Sequence, residues 1–106
     1  MINFDYFSNL DLRVGKVLEV NSHPDAEKLY LLKVDIGVKI IQLVGGIRPF
    51  YTPEELLGKF IVVLTNLEPK NIRGYLSEGM LLAAQDKDDV SLIISDKEVS
   101  PGSMIK

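Results

Sequence analysis

The 106-residue chain contains no cysteine. Disulfide staples, thiolate metal sites and a cysteine nucleophile are excluded together, and the composition fits a reducing, cytosolic compartment. A single histidine, His23, excludes a multi-histidine metal centre or a histidine dyad within one chain. Uncharged runs such as residues 40–46 fall far short of the ~20 apolar residues that a membrane span needs, so no membrane association is expected. No N-terminal block joins basic residues to an apolar run and a small-residue cleavage site, so no export is expected either. Also missing are a phosphate-cradling glycine loop, zinc or calcium ligand spacing, and paired carboxylates aimed at one point. Asp25 and Glu27 are close in sequence, but capping of their turn accounts for them. Neither catalysis nor a bound cofactor or metal is expected.

What remains is ordinary globular material, 46% hydrophobic and 25% charged. One domain over residues 1–106 is expected, because two independent cores do not fit in this length. Such a domain buries roughly 65% of the surface its unfolded chain exposes. That margin favours a closed barrel or an oligomer over an open sheet with loose edges. The net charge of −3 argues against a general nucleic-acid binder coated in positive charge, yet leaves room for a compact basic patch. Residues 80–106 hold Asp86, Asp88, Asp89, Asp96 and Glu98 against Lys87, Lys97 and Lys106, a balance of −2 that leaves only −1 for the rest. A nucleic-acid site is therefore expected within the first 79 residues or just past them.

Periodicity supplies the elements. Phe4, Phe7 and Leu10 at spacing three predict a turn or two of helix, its aromatics packed either on the chain's own barrel or across a dimer. Residues 12–20 alternate, with Leu12, Val14, Leu18 and Val20 on one face and Arg13, Gly15, Val17 and Glu19 on the other. A long strand bent near Gly15 and Lys16 is expected. A turn over residues 23–27 leads to strands over 29–36 and 40–44, the latter ending at Gly45-Gly46. Thr52, Pro53, Glu55 and Gly58 mark a short capped helix. Residues 60–67 form a strand apolar on both faces and hence central, followed by strands over 79–84 and 90–94. Three strands, a helix and two strands is the order of the all-β, five-stranded Greek-key barrel called the OB-fold, which often binds oligonucleotides.

The connection over residues 66–80 is the least scaffold-like segment, longer than a usual hairpin loop. It carries Lys70 and Arg73, which can neutralise phosphates. Asn66, Asn71, Ser77 and Tyr75 can hydrogen-bond base edges or a ribose hydroxyl, or support a splayed base. The same residues also suit a plain solvated loop. Arg73 can pair with Glu68 or Glu78, Ser77 can cap a turn, Met80 can belong to the core, and His23 reads as structural.

Six blocks occur in order: Asp11-Leu12-Arg13-Val14-Gly15-Lys16-Val17; His23-Pro24-Asp25-Ala26-Glu27-Lys28-Leu29-Tyr30; Gly45-Gly46-Ile47; Tyr51-Thr52-Pro53-Glu54-Glu55-Leu56; Asn66-Leu67-Glu68-Pro69 with Arg73-Gly74; and Ser77-Glu78-Gly79-Met80-Leu81-Leu82-Ala83-Ala84. Together they closely resemble the tRNA-binding domain at the C-terminus of many methionyl-tRNA synthetases, which also occurs free-standing, including as a separate beta subunit. The resemblance implies an OB-fold that binds tRNA by shape, a C-terminal extension supporting a homodimer, and association with a synthetase catalytic subunit. It implies nucleic-acid contacts at Arg13, Lys28, Asn66, Lys70, Arg73, Ser77, Gly79 and Met80. A bacterial secretion-related chaperone shares the barrel, so a peptide-binding dimer is the alternative. This chain departs from many relatives in its acidic balance, with less lysine near strands four and five.

Overall fold

A computed structural model describes residues 1–106. In chain order the elements are α1 (Phe4–Ser8), β1 (Leu12–Ser22), β2 (Tyr30–Asp35), β3 (Ile40–Gly45), α2 (Pro53–Leu56) and β4 (Phe60–Leu64). They continue with β5 (Lys70–Ile72), β6 (Tyr75–Ser77), β7 (Met80–Leu81), β8 (Ala83–Asp86) and β9 (Asp89–Leu92). The main sheet has five strands in the order β3-β2-β1-β4-β7. Strands β1, β2 and β3 form an antiparallel meander, and the chain then returns to lay β4 on the far side of β1. This is the expected all-β Greek-key barrel.

The alternation of β2 and β3 decides what fills it. Tyr30, Leu32 and Val34 from β2 and Ile41 and Leu43 from β3 point inward and are buried. Ile61 and Val63 of β4 join them, while Val62 and Leu64 on its other face are also buried. Thr52 and Glu55 form the expected reciprocal cap on α2: the Thr52 amide donates to Glu55 Oε1 at 2.8 Å and the Glu55 amide to Thr52 Oγ1 at 3.3 Å. The capped turn drives Leu56, 0% exposed, into the core as a plug.

Strand β1 changes partner at Lys16, beside the expected bend: residues 12–16 pair with β4 and residues 16–22 with β2. A bulge that the pattern did not predict follows at Leu18, where the pairing passes from Val17↔Val34 to Glu19↔Lys33. One extra residue exchanges the faces, so Val17 and Val20 both meet the core and Leu18 is exposed. The strand expected over residues 79–84 is split instead, β7 pairing with β4 and β8 leaving to pair with β9.

The C-terminal segment runs antiparallel along the start of β1. The Val14 amide donates to the Ser103 carbonyl at 2.9 Å, Gly102 to Val14 at 2.7 Å and Ile105 to Leu12 at 2.9 Å. Asp11 organises this end. Its carboxylate accepts from the Thr65 hydroxyl at 2.6 Å and from Arg13 Nε at 2.9 Å, and Arg13 Nη1 donates onward to the Gly102 carbonyl at 3.0 Å. The Thr65 hydroxyl chiefly, with help from Arg13, holds the Asp11 carboxyl below its ordinary range against a smaller opposing effect of burial. A depressed carboxyl contributes stability that is present above the unfolded value of about 4 and lost as the pH falls through the folded value. Asp11→Asn should therefore lower stability at pH 7, by up to about 1 kcal/mol for a pair this exposed. In urea unfolding, the gap between variant and wild type should narrow as the pH falls below about 4.

Candidate nucleic-acid interface

The 66–80 connection is folded, not loose. Lys70↔Ser77, Asn71↔Leu76 and Ile72↔Tyr75 pair to make a β5–β6 hairpin whose two-residue loop is Arg73-Gly74. Both loop residues have positive φ, 53° and 95°, as the tight turn matching strand twist requires. Glycine takes that conformation freely and arginine does not. The Asn71 side chain accepts from the Gly74 amide at 2.9 Å and helps hold the turn. Sequence patterning missed the hairpin because Arg-Gly is not the usual Asn-Gly signal and the strands are three residues each.

The hairpin tip docks on the turn between β1 and β2 through His23, which is 2% exposed. His23 Nδ1 accepts from the Asp25 amide at 3.0 Å, so its proton sits on Nε2 and is donated to the Arg73 carbonyl at 3.0 Å. The ring meets Tyr75 edge-on, centroids 4.9 Å apart. The Arg73 guanidinium reaches back to the Asp25 carbonyl at 2.9 Å. His23 thus has a structural role, and it acts directly on a candidate contact residue.

The base of the hairpin closes the barrel. The β3 edge faces the segment between β6 and β7, where side chains replace strand pairing. The Val44 amide donates to Ser77 Oγ at 3.0 Å, and that hydroxyl donates to the Gly79 carbonyl at 3.0 Å. The Gln42 amide donates to Glu78 Oε1 at 2.9 Å and the Glu78 amide to the Gln42 carbonyl at 2.8 Å. At Gly79 a Cβ would stand 2.8 Å from the Leu64 carbonyl oxygen, so β4 can approach only because no side chain is there.

The eight expected contact residues therefore fall into three places. Lys70, Ser77, Gly79 and Met80 line a groove of about 410 Å³ floored by apolar groups including Val44 and Ile72. Lys70 is exposed and Met80 is 48% exposed, so Met80 is not core. Lys28 and Arg73, both exposed, line a second hollow of about 400 Å³ across the hairpin. Arg13 and Asn66 lie in neither hollow and meet at the Asp11 junction. Asn66 Oδ1 accepts from the Asp11 amide at 3.0 Å and its Nδ2 donates to the Asn9 carbonyl at 2.8 Å. Of the expected residues, Ser77 is buried and its hydroxyl is spent within the chain. The sequence reading passed over Arg48, whose Nη1 donates to the Ala26 carbonyl at 3.2 Å, beside the same turn.

Charge in the two hollows is mixed, with Asp25, Glu27 and Glu68 close by in sequence and space. Yet the chain's one ion pair is Arg13–Asp11 at 2.9 Å. Arg73 does not pair with Glu68 or Glu78, and Lys28 and Lys70 pair with nothing, so their charges face solvent.

A five-stranded Greek-key barrel with cations and an apolar groove on its long inter-strand connection belongs to the OB-fold class. Residues 12–104 match the family described as "Putative tRNA binding domain", and the chain belongs to that family. It is 54% identical over 105 residues, 99% of its length, to methionine–tRNA ligase of Thermococcus kodakarensis. It is 48% identical over 106 residues to that of Nanoarchaeum equitans. The chain spans about 14% of the length of these ligases. Among solved structures, a MetRS-related protein from Pyrococcus horikoshii superposes with a TM-score of 0.94 at 34% identity, covering 100% of this chain and 98% of that one. A CsaA chaperone protein from Picrophilus torridus gives 0.92 at 34% identity, with both chains fully covered.

Removing the Ser77 hydroxyl leaves the Val44 amide at the seam without its acceptor. Ser77→Ala should cost about 1–3 kcal/mol in denaturant unfolding, with amide exchange at Val44 accelerated more than at Leu32.

Proposed function

We propose that this chain is a non-catalytic tRNA-binding protein of the cytosol that raises tRNA affinity for a methionyl-tRNA synthetase, as its free-standing beta subunit or detached C-terminal domain. The observation that carries the proposal is the hairpin docked by His23, which sets Arg73 beside Lys28 of the β1–β2 turn at one hollow and Lys70 at the other. Membership of the tRNA-binding family and the match to methionine–tRNA ligases support the partner.

The contact follows from the chemistry present. Unpaired ammonium and guanidinium groups neutralise phosphates, and the groove beside Met80 suits the face of an unstacked base. Few groups are positioned to read base edges, so recognition follows the fold of the tRNA and its 2′-hydroxyls more than its sequence. Tethering such a site to a catalytic subunit makes the second contact intramolecular and adds avidity without new base readout.

Self-association supplies two such sites. Helix α1 buries none of its residues, and a five-residue helix is not stable by itself in water. Phe4 is 76% exposed and Met104 58%; with Phe7, Leu10 and Ile105 they rim an apolar hollow of about 270 Å³. The aromatics left open by the sequence thus lie outside the core of this chain. An apolar face of this kind is expected to be covered, here by a second copy.

The similarity to CsaA chaperones supports the alternative, a peptide-binding dimer. A salt series with total tRNA separates the two. Binding by phosphate contact should weaken steeply with salt, whereas an apolar peptide contact should weaken little. Lys28→Ala and Arg73→Gln should each weaken several different tRNAs by a similar factor and lower the salt slope by about one. A loss confined to one tRNA, or a flat salt response, contradicts the proposal. In gel filtration, Phe4→Ser with Phe7→Ser should shift a dimer to a monomer, and an unchanged elution volume would reject this face as the contact.

A further inference from the structure

Resting on the tRNA-binding reading above, the geometry points to Arg48 as a further phosphate-binding residue, forming with Arg73 a two-guanidinium clamp for one backbone phosphate of folded RNA. The two side chains come from distant parts of the chain, one from the turn after β3 and one from the hairpin tip. They converge on consecutive carbonyls of a single turn: Arg73 Nη2 on Asp25 at 2.9 Å and Arg48 Nη1 on Ala26 at 3.2 Å.

That turn is rigid from several directions. The Ala26 carbonyl also accepts from the Leu29 amide at 3.2 Å, and the Asp25 amide is held by His23. Arg48 stands on an equally fixed base. Ile47 is 3% exposed in the core, and its carbonyl accepts from the amides of Phe50 at 3.0 Å and Tyr51 at 3.1 Å. Both guanidiniums are thus aimed before any ligand arrives.

Their charge is not discharged within the chain. A carbonyl accepts a hydrogen bond without neutralising the cation, and no carboxylate lies within ion-pair distance of Arg48, Arg73 or Lys28, although Asp25 and Glu27 belong to the same turn. Each guanidinium has five N–H groups and spends one, leaving donors in the planar fork that matches phosphate. Arg73 lines the hollow beside this turn and Arg48 holds the next carbonyl of the same turn, so an anion seated at the turn would draw on both charges. A phosphodiester, carried by the ligand class of this family, supplies the charge and the acceptor oxygens.

The substitution that separates clamp from mere structural tie is Arg48→Gln, whose amide can still donate to the Ala26 carbonyl but carries no charge. We expect it to lower the salt slope for total tRNA by about one and to weaken binding about tenfold near ~50 mM salt, with an unchanged melting temperature. Arg48→Lys should keep most of the slope. Wild-type slope and affinity in Arg48→Gln would overturn the clamp. So would Gln and Lys variants that lose binding alike with lowered melting temperatures and an unchanged slope. If Arg73→Gln lowers the slope and Arg48→Gln does not, the clamp fails while the tRNA-binding reading stands. If the wild-type protein shows no salt-dependent tRNA binding, both fail. Displacement of tRNA by an acidic peptide at equal charge concentration would assign the two arginines to a protein partner and overturn the phosphate assignment.

Discussion

The barrel depends on how its last seam is closed. A five-stranded sheet curled on itself must join β3 to the strand beyond β4, and here two side chains make the join together with the backbone bond from the Glu78 amide to the Gln42 carbonyl. Ser77 takes the Val44 amide and Glu78 takes the Gln42 amide, so the edge donors of β3 are met although β7 is only two residues long. An unmet amide at such an edge costs more than an average hydrogen bond contributes. The seam therefore fixes the position of the whole segment between β4 and β7. Gly79 is the steric half of the same device, because the close approach to the Leu64 carbonyl leaves no room for a Cβ.

From that seam the β5–β6 hairpin projects with little freedom left. Its base is Ser77, its tip is Arg73, and His23 bolts the tip to the β1–β2 turn. The tip arginine is kept in a left-handed conformation that most side chains avoid. The polar groups that do this holding are buried, and those left over are cations facing solvent. A protein with a net charge of −3 can thus present local positive charge, since fields at a surface follow where unpaired groups stand more than the total. Asp25 and Glu27 temper that charge and stay out of ion pairs with it.

Much of this was legible in the residues. The strands expected over 29–36 and 40–44, the doubly apolar β4 and the capped helix before it all appear where their patterns put them, because each pattern is a local demand of burial or backbone satisfaction. The six motif blocks led to the family that the comparisons then established. Legibility failed where pairing is decided at a distance. The bulge at Leu18 depends on how β2 lies against β1. The hairpin inside the 66–80 connection depends on His23, fifty residues away from the carbonyl it holds. Arg13, a contact residue by the family motif, and Asn66, one by motif and type, also hold the Asp11 junction, because a charge or an amide in a sequence does not say which neighbour it meets. Arg48 lacked any motif because its importance comes from a carbonyl 22 residues earlier.

By itself, the sequence determined the fold class, the order of strands around the helix, the central place of β4, and membership of a tRNA-binding family. These follow from periodicity and motif order, which are carried along the chain. Tertiary structure alone decided which polar side chains are consumed in holding the barrel and which remain free. It moved Ser77 and Asn66 into the first group, left Lys28, Lys70 and Arg73 with unpaired charge, and tied Arg48 and Arg73 to consecutive carbonyls of one turn. The physical reason is that a hydrogen-bond donor or a charge is spent or available according to what stands within about 3 Å of it, and that distance is set only when remote segments meet.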